Sequence, residues 1–281
     1  MSAPDFVAIG HVTLDRFGDE VRPGGAALYS AVTAYRLGLS VGILTSHAVD
    51  FPLDAIPSRI EVVTLEGPAT TVFEYEAAAS GERRQKLMST ARPLAVRDLP
   101  EDWRAAPLAL LAPVAQEVDP RLAASFDDGS VGAAAQGWLR AMDEQKRIVA
   151  QPWTGAREVL NQVLAVFVSA DDLLGHESQI TEWVQRVPIA VVTAGAAGAL
   201  LYVNGERYEV RARRAREVDP TGAGDVFAAT FLVYYQRHPD PWEAAEAATC
   251  AASLSVEGEG WSAIPDAARL EDALAEYRAR A

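Results

Sequence analysis

Val218-Asp219-Pro220-Thr221-Gly222-Ala223-Gly224-Asp225-Val226-Phe227 follows a strand-like segment and opens a helix. Gly222 and Gly224 flank only the small Ala223, so the backbone is free to adopt unusual dihedrals and no side chain screens its N–H groups. A bare helix N-terminus of this kind offers unpaired amide donors and a partial positive charge, the physical basis of an anion site. The same dipole would keep Asp225 ionised, and a carboxylate beside an anion site is better suited to accept a proton than to bind the anion. A hydroxyl lying between Asp225 and a phosphoryl donor would lose its proton to the aspartate while the amides of Gly222, Ala223, Gly224 and Asp225 stabilise the moving charge. The competing reading makes Asp225 only an N-terminal helix residue after a Gly-rich turn.

Outward from this segment the chain alternates between strands and helices. Downstream, Val226–Gln236, Pro241–Val256 and Asp266–Arg278 carry apolar residues at spacings of three and four, as helices packing one face on a sheet do. Upstream lie a strand at Ile189–Thr193 and a hairpin, Ala199–Val203 and Tyr208–Val210, turning at Asn204-Gly205. The N-terminal half reads as strand Phe6–Ile9, helix Leu28–Leu37, strands Val41–Thr45 and Leu108–Leu111, helix Gly132–Met142, and strands Ile148–Ala150 and Ala165–Val168. This alternation predicts an α/β fold with a mostly parallel sheet. Between Ile60 and Met88 the pattern changes to Glu61-Val62-Val63-Thr64 and Thr71-Val72-Phe73-Glu74-Tyr75, followed by the turn-like Ser80-Gly81-Glu82, which predicts a small antiparallel flap.

Composition narrows the partners. The 281 residues carry 25 Lys and Arg against 39 Asp and Glu, a formal charge of −14 that repels nucleic acid. Arg211, Arg213, Arg214 and Arg216 alternate along a strand-like segment, which leaves most of them in solvent, a role near bound phosphates being the alternative. No apolar run approaches the length of a membrane span, and one cysteine, Cys250, precludes an intrachain disulfide. The expectation is a cytoplasmic protein without a membrane partner. P-loop, dinucleotide and zinc motifs are absent from the sequence.

Asp219-Pro220-Thr221-Gly222-Ala223-Gly224-Asp225 resembles the D-T-x-G-A-G-D signature of the ribokinase-like (PfkB) carbohydrate kinases. Gly24-Gly25-Ala26-Ala27-Leu28-Tyr29-Ser30-Ala31 through Arg36-Leu37-Gly38 resembles that family's N-terminal signature. Gly10…Asp15, Val192–Ala199 and Ser262–Pro265 match further family segments, so the resemblance covers essentially the whole chain. It implies a single kinase domain over residues 1–281: a three-layer α/β/α sandwich with a mostly parallel central sheet and a small β lid, its strands within about 16–24 and 60–90. It also implies Asp225 as catalytic base, with Gly222, Ala223 and Gly224 forming the anion hole. Asp15, Gly24, Gly25 and Tyr29 would meet a small polyol, the two glycines also serving as the lid hinge. ATP would lie along Thr193, Gly195, Gly198 and Thr221, with Mg²⁺ between phosphates. A homodimer through the lid is a further expectation.

Departures from the family pattern bear on specificity. Tyr29 stands where the family has a sugar-contacting Asn, and Ser169-Ala170-Asp171-Asp172 stands where it has N-x-x-E. Asp172 is therefore expected either to orient metal-bound water or to cap the next helix. Few residues separate Asp15 from Gly24, which predicts a minimal lid, and Glu117 is placed either near the substrate or in solvent. The short lid and Leu110-Leu111-Ala112-Pro113-Val114 resemble the inositol-kinase-like branch more than ribokinase. Two rivals follow: a catalytically silent ligand-binding protein on the same fold, and a nicotinamide oxidoreductase, which the missing dinucleotide fingerprint disfavours.

Overall fold

Successive residues of the first strand are buried on opposite sides: Phe6 and Ala8 join one apolar cluster, Val7 and Ile9 another. That arrangement requires a sheet covered on both faces. The computed structural model, which describes residues 3–77 and 83–280, supplies it. In chain order the elements are β1 (Phe6–Ile9), β2 (Thr13–Phe17), β3 (Glu20–Gly24), α1 (Ala26–Arg36), β4 (Val41–His47), β5 (Ile60–Glu66), β6 (Thr71–Ala77) and β7 (Arg83–Ser89). There follow β8 (Leu108–Leu111), β9 (Ser130–Ala134), β10 (Arg140–Met142), β11 (Ile148–Ala150), α2 (Ala156–Leu160), β12 (Ala165–Ser169) and α3 (Gln179–Trp183). The C-terminal part holds β13 (Ile189–Thr193), β14 (Ala199–Val203), β15 (Glu206–Val210), α4 (Ala223–Arg237), α5 (Pro241–Ser255) and α6 (Ala267–Ala279). The central sheet runs β15-β14-β13-β12-β9-β8-β1-β4-β5, parallel except at β13-β14-β15. A second sheet runs β3-β2-β6-β7. No described helix is long and apolar enough to cross a membrane.

The two faces are covered differently. On one, α1, α4, α5 and α6 bury residues such as Leu28, Phe231 and Leu270. On the other, the short helices α2 and α3 and several 3₁₀ turns cover the sheet, with stacked Trp138 and Trp153 (4.8 Å between centroids) and an edge-on Trp183. α4 packs centrally, Phe231 meeting Phe167 of β12 edge-on at 5.3 Å between centroids. Because α4 lies against β8, β9 and β12, its N-terminus is delivered to the carboxyl ends of these parallel strands, where open α/β sheets bind ligands.

Several segments differ from their sequence reading. Gly132–Met142 is not a helix: it forms β9, a 3₁₀ turn over Ala135–Leu139 and β10. A strand buried on both faces lacks the two-residue alternation, and its apolar run reads equally well as helix. The glycines hold the true signal, since a Cβ at Gly132 would reach 2.7 Å from Leu232 and one at Gly137 would overlap the backbone of Pro113. Among the described residues Ile148–Ala150 pairs with β10, outside the central sheet. Glu61–Thr64, grouped above with the flap, lies in β5 at the edge of the central sheet. The turn Ser80-Gly81-Glu82 lies outside the described residues. Segment 211–217 is irregular rather than strand.

Candidate active site

A cavity of about 730 Å³ opens between the carboxyl ends of the central strands and the second sheet, lined among others by Asp15, Tyr29, Phe73, Tyr75, Arg140, Ser169, Asp172, Thr193 and residues 220–225. Its floor is the start of α4. Gly222 precedes the helix with φ 78°, ψ 0°, a left-handed conformation that favours glycine. A Cβ there would also fall inside the Tyr29 ring. The preceding turn is pinned by buried Asp219, whose Oδ1 accepts from the Thr221 amide (3.1 Å) and hydroxyl (2.7 Å) and whose Oδ2 accepts from the Gly260 amide (3.2 Å). Ala223 N–H bonds Pro220 O at 3.2 Å, and the N–H groups of Gly224 and Asp225 are first-turn donors without intrahelical partners.

Asp225 faces the cavity, but protein surrounds its carboxyl closely. Burial raises its pKa to about 7, Arg140 opposes this, and the charges of Asp172 and Asp15 add to it. The helix dipole does not keep Asp225 ionised as expected, because desolvation outweighs it. A carboxyl titrating near neutrality suits a group that must take a proton and release it. Asp15 is likewise raised to about 6, by burial first, against a hydrogen bond from the Thr13 hydroxyl at 2.8 Å and the charge of Arg140.

Asp15 sits within β2. Gly24 pairs with Thr13 across β2 and β3, and a Cβ there would overlap Asp15 Oδ2, so glycine makes room for the carboxylate. Gly25, at φ 102°, joins the second sheet to α1. Tyr29 lines the cavity but is only 3% exposed, its ring spent on supporting Gly222. Asp172 lines the cavity in a reciprocal cap with Ser169: Ser169 Oγ donates to Oδ2 at 2.6 Å and accepts from the Asp172 amide at 3.0 Å. No helix starts there, so its helix-capping role does not arise.

Of the four residues expected along the nucleotide, Thr193 and Thr221 reach the cavity. Gly195 lies exposed in a 3₁₀ turn, and Gly198, at φ 96°, is buried where a Cβ would overlap Val210 O. Glu117 is neither solvent-facing nor on the cavity: 3% exposed, it accepts from the amides of His11, Val114 and Ala115 at 2.7–3.0 Å and so holds together the ends of β1 and β8. Arg211, Arg214 and Arg216 are exposed, and Arg213 bonds Glu257 at 3.0 Å. Sequence reading missed Thr13, which orients Asp15, and Arg140, which lines the cavity. The only advance sign of Thr13 was its place two residues before Asp15, and Arg140 lay in the segment misread as helix.

Residues 104–267 match the pattern of the pfkB family carbohydrate kinases. The chain belongs to this family. As a PfkB kinase it has relatives of differing specificity. It is 27% identical over 256 residues to the cytidine kinase of Thermococcus kodakarensis, covering 83% of this chain and 89% of that one. It is 29% identical over 231 residues to the inositol 3-kinase of Oryza sativa subsp. japonica, covering 75% of this chain and 56% of that one. Among solved structures, a sulfate complex of a pyrophosphate-dependent kinase in the ribokinase family superposes with a TM-score of 0.78 at 23% identity, covering 95% and 99% of the two chains. That likeness shows the ribokinase fold, with the expected central sheet and small second sheet.

Proposed function

We propose that the cavity transfers a phosphoryl group from ATP to a hydroxyl of a small polyol, a sugar, inositol or nucleoside, with Asp225 as general base. One observation carries the reading: Asp225 stands on the first turn of α4, beside unpaired amides, in the same cavity as the buried Asp15. Asp15, steadied by Thr13, accepts hydrogen bonds from substrate hydroxyls. Tyr75 of the second sheet, partly exposed to the cavity, offers the apolar wall against which the C–H face of a polyol packs. The attacking oxygen bonds phosphorus as its proton passes to Asp225, the bond to the donor's leaving oxygen breaks, and the amides of Gly224 and Asp225 face the charge, that of Ala223 being held by Pro220 O.

Mg²⁺ binds through few protein carboxylates and several phosphate oxygens and waters, and no cluster of three or more ligating side chains is needed or found among the described residues. Asp172, with one carboxylate oxygen held by Ser169, fits an outer ligand that meets the ion through water. When bound, the ion would neutralise charge between the phosphates. The second sheet acts as lid and Gly24-Gly25 as its hinge. A homodimer through this sheet, by way of its edge strand β3, belongs to the same proposal.

The test is release of ADP from Mg·ATP, or of orthophosphate from magnesium pyrophosphate as an alternative donor, across a panel of pentoses, hexoses, inositols and nucleosides. Polyol-dependent release that vanishes in Asp225→Ala, while that variant still binds nucleotide, is the expected result. Undiminished release by Asp225→Ala removes the base. Stabilisation by ligands with no transfer from either donor favours the silent binder.

A further inference from the structure

The cavity is strongly acidic, and a phosphoryl donor brings more negative charge into it. Asp15, Asp143, Asp171, Asp172 and Asp225 line it, against Arg84, Arg140 and Arg147. Two of these cations are poorly placed or already engaged. Arg147 gives Nε to Asp143 Oδ2 at 2.7 Å and Nη2 to Gln145 Oε1 at 3.1 Å, and Arg84 is exposed on β7. Arg140 differs in both respects. It is half-buried at the start of β10, and its guanidinium makes neither ion pair nor hydrogen bond among the described residues, resting instead over the Phe73 ring at 5.8 Å from the centroid.

The side chain projects from a fixed point. The carbonyl of Arg140 accepts from the side-chain amides of Gln116 (2.7 Å) and Gln151 (3.1 Å), and Gly137, three residues earlier, is seated so tightly on Pro113 that no Cβ fits. A cation so anchored, left unpaired and facing a space bounded by Asp15 and Asp225, is pre-positioned for an anion that arrives with the reactants. Its charge acts on both carboxylates, Asp15 and Asp225, with which it shares the cavity lining.

We propose that Arg140 is a catalytic residue whose guanidinium grips the phosphoryl group in transit between donor and polyol. This rests on the kinase reading above. As the substrate oxygen bonds phosphorus and the leaving oxygen keeps the electron pair of the broken bond, the hydroxyl proton goes to Asp225. Arg140 neither gives nor takes a proton; it offers two parallel N–H donors to the equatorial oxygens. The Phe73 ring beneath it limits its water contact.

The test is Arg140→Gln and Arg140→Lys in the full chain, with steady-state kinetics and calorimetric titration of magnesium pyrophosphate, a probe that needs no turnover. Arg140→Gln is expected to lower kcat by about 10²–10³-fold with the polyol KM within about threefold of wild type, the range of a lost transition-state donor. Arg140→Lys, keeping charge but not the fork, recovers part of that loss. Pyrophosphate affinity falls at least about tenfold in Arg140→Gln for loss of a charge-assisted contact. A kcat near wild type, a loss confined to the polyol KM, or unchanged pyrophosphate affinity each overturns the proposal, the second outcome assigning Arg140 to the substrate. Should the wild type phosphorylate nothing, the kinase reading fails by itself, and the titration alone still decides whether Arg140 holds phosphoryl oxygens.

Discussion

Asp225 gives the structure's sharpest stability prediction, because burial that makes it a useful base also strains the fold. Its pKa, raised from 3.8 to about 7, means that the folded chain prefers the protonated carboxyl. The group's contribution is fully retained below its unfolded pKa and is lost as pH rises toward the folded value. Between these limits the cost grows by about 1.4 kcal/mol per pH unit, reaching at most about 4 kcal/mol above pH ~7. Relaxation and cavity water reduce this, so about 1–3 kcal/mol is the working figure. Asparagine cannot ionise and escapes the penalty. Asp225→Asn should therefore melt several degrees above wild type at about pH 8, given about 2–4 °C per kcal/mol for chains near this size. The gap should close as the pH falls to about 4. The same variant should lose about 10²–10⁴-fold in turnover. Scanning calorimetry of both proteins at several pH values supplies the assay. A variant no more stable than wild type at alkaline pH, or equally stabilised at acid pH, would refute the account of a carboxyl strained by partial burial.

Other expectations follow from neighbouring contacts. Gly24→Ala places a methyl on Asp15 Oδ2, so the polyol KM should rise at least about tenfold while nucleotide binding, followed by calorimetry, stays intact. Gly222→Ala meets both a left-handed backbone and the Tyr29 ring and should cost about 1–3 kcal/mol in urea unfolding; adding Tyr29→Ala should relieve the steric part, giving a non-additive double-mutant cycle. Asp172→Asn removes a charge that raises the Asp225 pKa, so the acid limb of kcat/KM, near pH 7 in wild type, should move to lower pH while the magnesium requirement rises. An unmoved limb would mean that the two carboxylates do not communicate.

How much of this was readable in the sequence depended on how local each signal was. β1, β8 and β13 appear with the bounds their apolar runs suggested, and Asn204-Gly205, both at positive φ, turns the hairpin it announced. The Gly-rich entry to α4 was equally plain, because the conformation it needs is written in the residues that adopt it. What depends on distant partners was not readable. Gly132–Met142 lost its strand signature to burial on both faces, and with it went Arg140. Glu117 looked like a loop carboxylate until the amides of three other residues closed around it. The pKa of Asp225 rested on enclosure by the cavity walls, which no local pattern records.

The central claim is transfer of a phosphoryl group to a polyol hydroxyl by Asp225, and the product itself tests it most directly. Phosphorus NMR of wild-type reactions with Mg·ATP, or pyrophosphate, and the best polyol of the panel should show a new phosphomonoester resonance. In Asp225→Ala that resonance should be absent although the donor still binds. A phosphomonoester formed at the wild-type rate by Asp225→Ala, or only inorganic phosphate from the wild type, would contradict it.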